Sequence, residues 1–377
     1  MNRILHIVEN FNGQATEQWL YQAMRYMSEL GVEFDWTFYS ILGRPGLMDD
    51  AVSAIGGKII YSSVPLQRKI EFVRGLRKSI ETGEYDILHS HHDILSAIYL
   101  LASAGLPLKK RIIHIHNTSL SLPTSSSLKK FLLHEPMRHT CLQWADNLVG
   151  VSDVALDAFL KGKERIPGRD MVMHCGIDMA PFHRKLPGRL AFLQSFGLPP
   201  DSKVLLFVGR MTHYKNPCFV IEVLSHISKV DSTVCAMFAG VGPLEDEVLK
   251  LAKQKSLESR VRVLGWHGNV PALMRSCDIL IWPGLEEPRE GLGLGVVEAQ
   301  AAGLPVLMSR NVPEEAIVVR ELVEVLPLVA GADVWAERTL HILSLGSSNR
   351  EAALTALEGS SFAISQSVAN IRALYEI

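Results

Sequence analysis

The sequence predicts an α/β protein of two domains, each a doubly wound parallel sheet. Three observations lead there. Short apolar runs alternate with amphipathic stretches from end to end, the pattern of a parallel sheet covered by helices. The alternation breaks around 176–200, where Pro181, Pro187, Gly188, Gly197, Pro199 and Pro200 crowd together, and then restarts. At 377 residues the chain is also too long for one ordinary core.

Taken in order, Ile4–Val8 reads as the first strand. Thr16–Leu30 follows as a helix with Trp19, Leu20, Ala23, Met27 and Leu30 on one stripe and Gly31 as its stop. Phe34–Tyr39, Lys58–Tyr61, Ile87–His89, Arg111–Ile115 and Leu148–Val151 complete the first set of strands. Gln67–Ile80, Ile94–Ala104, Leu128–Trp144 and Val154–Leu160 are its helices. Beyond the break, Val204–Val208, Thr233–Ala239, Val261–Leu264, Ile279–Trp282, Pro305–Met308 and Val323–Leu326 form the second set. Phe219–Ser228, Leu244–Lys255, Val270–Ser276 and Leu294–Ala302 are the helices between them. The expected domains are 1–180 and 184–360 with a cleft between them, and ligands of such sheets sit at the carboxyl ends of the strands.

Composition excludes several classes. Hydrophobic content of 47% with 21% charged residues belongs to a folded protein. A net charge of −2 removes the electrostatic case for nucleic acid as a partner. Five scattered cysteines without a C-x-x-C pair fit reduced thiols in the cytosol and give no zinc site. The N-terminal apolar run is too short for a signal peptide, and no run approaches a membrane span of about 20 residues. The expected location is cytoplasmic, at most peripheral at a membrane. Two basic clusters would suit such contact with anionic lipid or a lipid-diphosphate acceptor: Lys58, Arg68, Lys69, Arg74, Arg77 and Lys78, then Lys109, Lys110, Arg111, Lys129, Lys130 and Arg138.

The most informative stretch runs Glu290-Gly-Leu-Gly-Leu-Gly-Val-Val-Glu298. Its glycines let backbone approach a ligand, and a helix opening at Gly293–Leu294 aims N–H groups and its positive dipole end at a phosphate. Glu298 lies too far into that helix for a phosphate and suits sugar hydroxyls. A molecule with sugar on two sides of a phosphate, a nucleotide-sugar, fits both. Arg210 and Lys215 follow the Val204–Val208 strand and form a phosphate clamp, the arginine as a fork and the lysine as a movable charge. His89, His91 and His92 hint at a metal, but adjacent strand residues point in different directions, no Asp-x-Asp occurs, and Asp93 suits a helix cap. No metal site and no cofactor are expected.

These elements resemble the retaining glycosyltransferases of family 4, which have the GT-B architecture of two Rossmann-like domains facing an interdomain cleft. The resemblance is carried by Phe207-Val-Gly-Arg-Met-Thr-His-Tyr-Lys215, Phe238-Ala-Gly-Val-Gly-Pro-Leu244, Val263-Leu-Gly265, Cys277-Asp-Ile-Leu-Ile-Trp-Pro283 and the run from Glu290 to Val306. Looser matches in the first half are Ile4–Val8, Asp86-Ile-Leu-His89, Ile112–Thr118, Asp146-Asn-Leu-Val-Gly-Val-Ser152 and His174-Cys-Gly-Ile-Asp178. The resemblance implies donor diphosphate binding by Arg210, Lys215, Gly13 and the backbone of Gly293 and Leu294. It implies ribose binding by Glu298, with Glu290 beside the transferred sugar and His116 near its anomeric centre. It further implies a C-terminal helix, 362–377, crossing back onto the first domain.

The expected activity is metal-independent transfer of a hexosyl group, with retention, from a UDP-sugar to a saccharide or lipid-linked acceptor in cell-envelope polysaccharide or glycoconjugate synthesis. The chain departs from the family pattern at Asn12-Gly-Gln-Ala-Thr-Glu17, in the long approach Glu286-Glu-Pro-Arg-Glu290, and at Leu292 in place of phenylalanine. A nucleotide-sugar epimerase or phosphorylase would share the cleft. A silent binding subunit is the other alternative, against which the complete set Arg210, Lys215, Glu290 and Glu298 speaks.

Overall fold

A computed structural model describes residues 2–119, 127–346 and 349–376, the side chains of 127–132 excepted. The chain divides into two compact units, Met1–Ile177 with Ser361–Ile377, and Asp178–Ser360. Ile377, the end of the expected terminal helix, lies outside the described residues.

The first unit holds seven parallel strands: β1 (Arg3–Val8), β2 (Asp35–Ser40), β3 (Lys58–Tyr61), β4 (Ile87–Ser90), β5 (Lys110–Ile115), β6 (Asn147–Gly150) and β7 (Asp170–Val172). Their order across the sheet is β3-β2-β1-β4-β5-β6-β7. The second unit holds six: β8 (Lys203–Val208), β9 (Val234–Ala239), β10 (Val261–Val263), β11 (Ile279–Trp282), β12 (Val306–Met308) and β13 (Val323–Val325). Their order is β10-β9-β8-β11-β12-β13, again all parallel. Helices cover such sheets on both faces, so the strands read as unbroken apolar runs. All six residues of β9 and all four of β11 are buried. At roughly 1.5–3 kcal/mol for each fully buried Leu, Ile, Val or Phe, these runs outweigh their weak local preferences.

Each sheet winds outward from one crevice. In the first unit the chain proceeds from β1 to β2 and β3 on one side, then from β4 to β7 on the other. In the second it proceeds from β8 to β10, then from β11 to β13. The crevices at the carboxyl ends of β1/β4 and β8/β11 are therefore topological switch points, where doubly wound sheets bind ligands.

Several expectations shift. The helix expected over Ile94–Ala104 splits into a 3-10 turn, Asp93–Leu95, and a helix, Ser96–Ala102. β7 and the helices Ala332–Ser344 and Arg350–Glu358 went unread. The first of those helices buries only Trp335, Ala336 and Thr339, too few positions for a periodic signal. The helix Ile364–Tyr375 packs in the first unit, where Ser367 accepts a hydrogen bond from Trp19 Nε1 at 2.8 Å.

Candidate active site

In the second unit the loops after β8, β11 and β12 are tied together. Leu285 N donates to Tyr214 O at 2.7 Å, and Asn216 Nδ2 donates to Pro283 O at 3.1 Å. Glu290 N donates to Asn311 O at 2.8 Å, while Ser309 Oγ donates to Gly284 O at 2.6 Å. These ties bring Lys215 and Glu290 together. Lys215 Nζ lies 2.5 Å from Glu290 Oε1, an ion pair set off the best hydrogen-bonding direction. Both side chains are mostly buried, 13% and 12% exposed, so the pair is poorly screened. The Trp282 ring lies beneath the ammonium, 4.4 Å from Nζ to centroid, a cation–π contact that holds a charge without neutralising it. Arg210 is exposed at the mouth and donates to Tyr214 Oη at 2.7 Å.

Gly293 is the N-cap of the helix Leu294–Ala301, at φ 82°. A Cβ there would stand 2.8 Å from Val312 Cγ1, so only glycine fits both the angle and the space. The backbone N–H groups at this helix start point outward, as any helix N-terminus requires. Glu298 sits one turn further in and is half-buried. Desolvation pushes its carboxyl up to about 7. Thr212 Oγ1, Trp282 Nε1 and Asn311 Nδ2 are buried without partners among the described residues. The sequence reading gave no role to Tyr214, Trp282 and Asn311, although Tyr214 and Trp282 lie within quoted motifs, since aiming charges leaves no pattern of its own.

The first unit holds the other two expected site residues. Gly13 has φ 80° and precedes the helix Ala15–Glu29. From that helix Thr16 Oγ1 meets His116 Nδ1 at 3.4 Å. His116 Nε2 meets His91 Nδ1 at 3.2 Å, and His91 Nε2 meets His6 Nδ1 at 3.1 Å. Burial holds His6 and His114 down at about 3, and His89, His91 and His116 well below the ordinary imidazole range, so these rings are neutral.

Two readings of this region need correction. His89 and His91 do not diverge: being two residues apart they share a sheet face, and only His92 turns away, to Tyr99 Oη at 2.9 Å. Asp93 does not cap its own helix. Its Oδ1 accepts from His116 N at 2.7 Å and its Oδ2 from Asn117 Nδ2 at 2.7 Å, fixing the loop that carries His116. The repeated His-x-His spacing at 89/91 and 114/116 was the signal available for this group.

The basic clusters are largely consumed within the fold. Lys58 pairs with Asp35, Arg68 with Glu71, Arg77 with Glu81, Lys109 with Asp86 and Arg138 with Glu135. Lys110 donates to the carbonyls of Leu374 and Glu376, and Arg111 to those of Ser103 and Leu106. The side chains of Lys129 and Lys130 lie outside the described ones. No described helix is long and apolar enough to cross a membrane.

Comparison with known proteins agrees with this architecture. The family described as Glycosyltransferase Family 4 matches residues 16–180, and Glycosyl transferases group 1 matches 189–352. The chain is 29% identical to the putative glycosyltransferase EpsF of Bacillus subtilis, over all of this chain and 96% of that one. It is 24% identical, over 70% of this chain and 67% of the other, to an Escherichia coli enzyme named UDP-Gal:alpha-D-GlcNAc-diphosphoundecaprenol alpha-1,3-galactosyltransferase. Among solved structures, Anabaena Alr3699/HepE in complex with UDP and glucose shares the fold with a TM-score of 0.79, at 16% identity and complete coverage of both chains.

Proposed function

The chain belongs to the family 4 glycosyltransferases of GT-B fold, and on that premise we propose that it moves a hexosyl group from a UDP-sugar to a saccharide or lipid-linked saccharide, with retention and with no metal at the diphosphate. The observation that carries this reading is the buried Lys215–Glu290 pair beside Arg210 at the β8/β11 crevice. A cation and a carboxylate held against each other there are poised to separate onto the two halves of a donor. Lys215 and Arg210 take the diphosphate, helped by the N–H groups of Gly293 and Leu294, and Glu290 takes hydroxyls of the sugar. Fixed cations and dipoles of this kind stabilise a departing phosphate without reorganising.

Glu298, about half ionised near neutral pH, accepts from the ribose hydroxyls. Gly13 offers its backbone to the diphosphate, and His116 faces the sugar near its anomeric carbon. As the bond from the anomeric carbon to the phosphate oxygen breaks, the ring becomes oxocarbenium-like. The acceptor hydroxyl then bonds to that carbon on the face the phosphate leaves, and a phosphate oxygen takes its proton. The uridine nucleotide named with two of the similar proteins supports UDP as the carrier. An undecaprenol-linked acceptor in one of them supports a role in envelope polysaccharide or glycoconjugate synthesis.

For a lipid-linked acceptor, the exposed Lys69, Arg74 and Lys78 on the helix Lys69–Gly83 would meet the inner face of a membrane peripherally. Co-sedimentation with anionic vesicles tests that contact. For the donor, a thermal-shift panel of UDP- and GDP-sugars should show a UDP-sugar raising Tm most. NMR of the first product formed should show the donor's own anomeric configuration. Full transfer activity in both Lys215→Ala and Glu290→Ala would overturn the site.

A further inference from the structure

The register of the first sheet gathers imidazoles on one face. His6 on β1 pairs directly with His89 on β4. His89 pairs with Ile112 on β5, so His91 and His114, each two residues onward, stand level on that same face. The ring centroids of His89 and His91 are 4.2 Å apart, and those of His6 and His91 are 5.4 Å apart. One nitrogen from each of His6, His89 and His91 lies within 4.8 Å of the other two.

We propose that His6, His89 and His91 form a buried site for one late first-row transition ion. Three features carry it beyond a packed cluster. First, His89 Nε2 is buried without a hydrogen-bond partner among the described residues, a costly arrangement unless something occupies it. Second, the remaining nitrogen of every ring is already held. His89 Nδ1 meets Tyr375 Oη at 2.7 Å, His6 Nε2 meets the same hydroxyl at 3.5 Å, and His91 Nδ1 meets His116 Nε2 at 3.2 Å. Such outer hydrogen bonds fix the tautomer and orientation of metal-binding histidines.

Third, His6 Nδ1 and His91 Nε2 are 3.1 Å apart, close to the edge of about 3.3 Å that two ligands at zinc–nitrogen distances span in a tetrahedron. No carboxylate or thiol joins the group among the described residues, which suits a nitrogen-seeking ion and excludes Mg2+ or Ca2+. The neighbouring set His91, His114 and His116 is equally close, but among the described residues no side chain holds an outer nitrogen of His114, which is left to a backbone contact with Met173. The His6 set is therefore the better site.

An ion on His91 Nε2 leaves its Nδ1 as the N–H that donates to His116 Nε2. His116 must then carry its own proton on Nδ1, facing Thr16 Oγ1. The ion would thus set the tautomer of His116. This consequence rests on the role proposed above for His116; the binding site itself does not, and it serves no donor diphosphate.

The test uses the full chain without an affinity tag, stripped by chelator and titrated with Zn2+ or Co2+. Wild type is expected to retain one equivalent by elemental analysis, with the intense visible bands of tetrahedral Co2+. His89→Gln and His6→Gln should lose both, and His114→Gln should keep them. Tyr375→Phe removes only an outer hydrogen bond and should weaken binding about 10-fold, which serves if the histidine variants do not fold. No retained ion in wild type, or full binding in His89→Gln, overturns the site. So does equal loss in His114→Gln, or unchanged affinity in Tyr375→Phe when the histidine variants do not fold. Transfer activity enters none of these readouts, so failure here leaves the donor-site assignment standing.

Discussion

The two units share a topology and oppose each other in chemistry. At β8/β11 the crevice holds full charges, with Lys215 paired to Glu290 over Trp282 and Arg210 at the mouth. At β1/β4 the same position in the winding holds neutral, desolvated imidazoles, joined nitrogen to nitrogen from His116 through His91 to His6. A doubly wound sheet delivers loops to its switch point whatever those loops carry. The difference teaches that the fold fixes where a ligand goes and the loop side chains fix what it is. Charges answer a diphosphate; neutral rings answer a sugar, a proton or a soft metal ion.

The largest effect should come from breaking the charged crevice. Lys215→Ala removes one partner of a mostly buried pair and the cation proposed for the leaving group. Transfer should fall on the order of 10²–10³-fold, and UDP affinity should fall with it. His116→Ala, in the neutral crevice, should lower kcat by roughly 10²-fold while leaving UDP affinity within about twofold. Initial rates and calorimetric titration with UDP measure both. If His116→Ala loses UDP as severely as Lys215→Ala, the division of labour between the crevices is wrong.

How much of this was legible follows the same division. The charged crevice was readable because the chemistry proposed for it needs particular residues at fixed spacing: Arg210 and Lys215 beyond a strand, Glu290 and Glu298 across a helix start. The sheets were readable because buried parallel strands are apolar throughout. What stayed hidden depends on register between distant strands. His6, His89 and His114 are far apart in the chain, and only the pairing of β1 with β4 and of β4 with β5 places them together. Tyr375 reaches His89 from a helix 286 residues away. The Lys215–Glu290 contact was hidden too, since loop hydrogen bonds through Tyr214, Asn216 and Asn311 create it.

A smaller effect separates function from stability at Glu298. Its carboxyl titrates near 7 in the folded chain and near 4.5 unfolded, because burial disfavours the charge. The folded state therefore holds more protons between those values, and stability falls as pH rises from about 4.5 to about 7, then levels. Glu298→Gln removes that dependence. With the residue's partial solvent contact, it should stabilise the second unit by about 1–2 kcal/mol at pH 8 and by almost nothing at pH 4.5. The same change replaces a charged acceptor proposed for the ribose, so UDP affinity at pH 8 should drop about 10-fold. Melting at the two pH values and UDP titration check both arms. A variant no more stable at pH 8 would mean the carboxylate is better solvated than its surroundings imply.

The smallest effect compares the glycine at each crevice. Gly13 and Gly293 share a positive φ, 80° and 82°. Alanine at either position must adopt a left-handed conformation, at roughly 1–2 kcal/mol. At Gly293 the added carbon also meets Val312 Cγ1 at 2.8 Å, and Val312 is buried and cannot swing into solvent. Gly293→Ala should therefore cost about 1 kcal/mol beyond its backbone strain, as small-to-large changes in packed surroundings do. Val312→Ala in the same chain should return most of that excess, while doing nothing for Gly13→Ala. Chemical denaturation of the four variants measures the cycle. No return of stability on Val312→Ala would mean that Val312 yields freely and that backbone strain is the whole cost at Gly293.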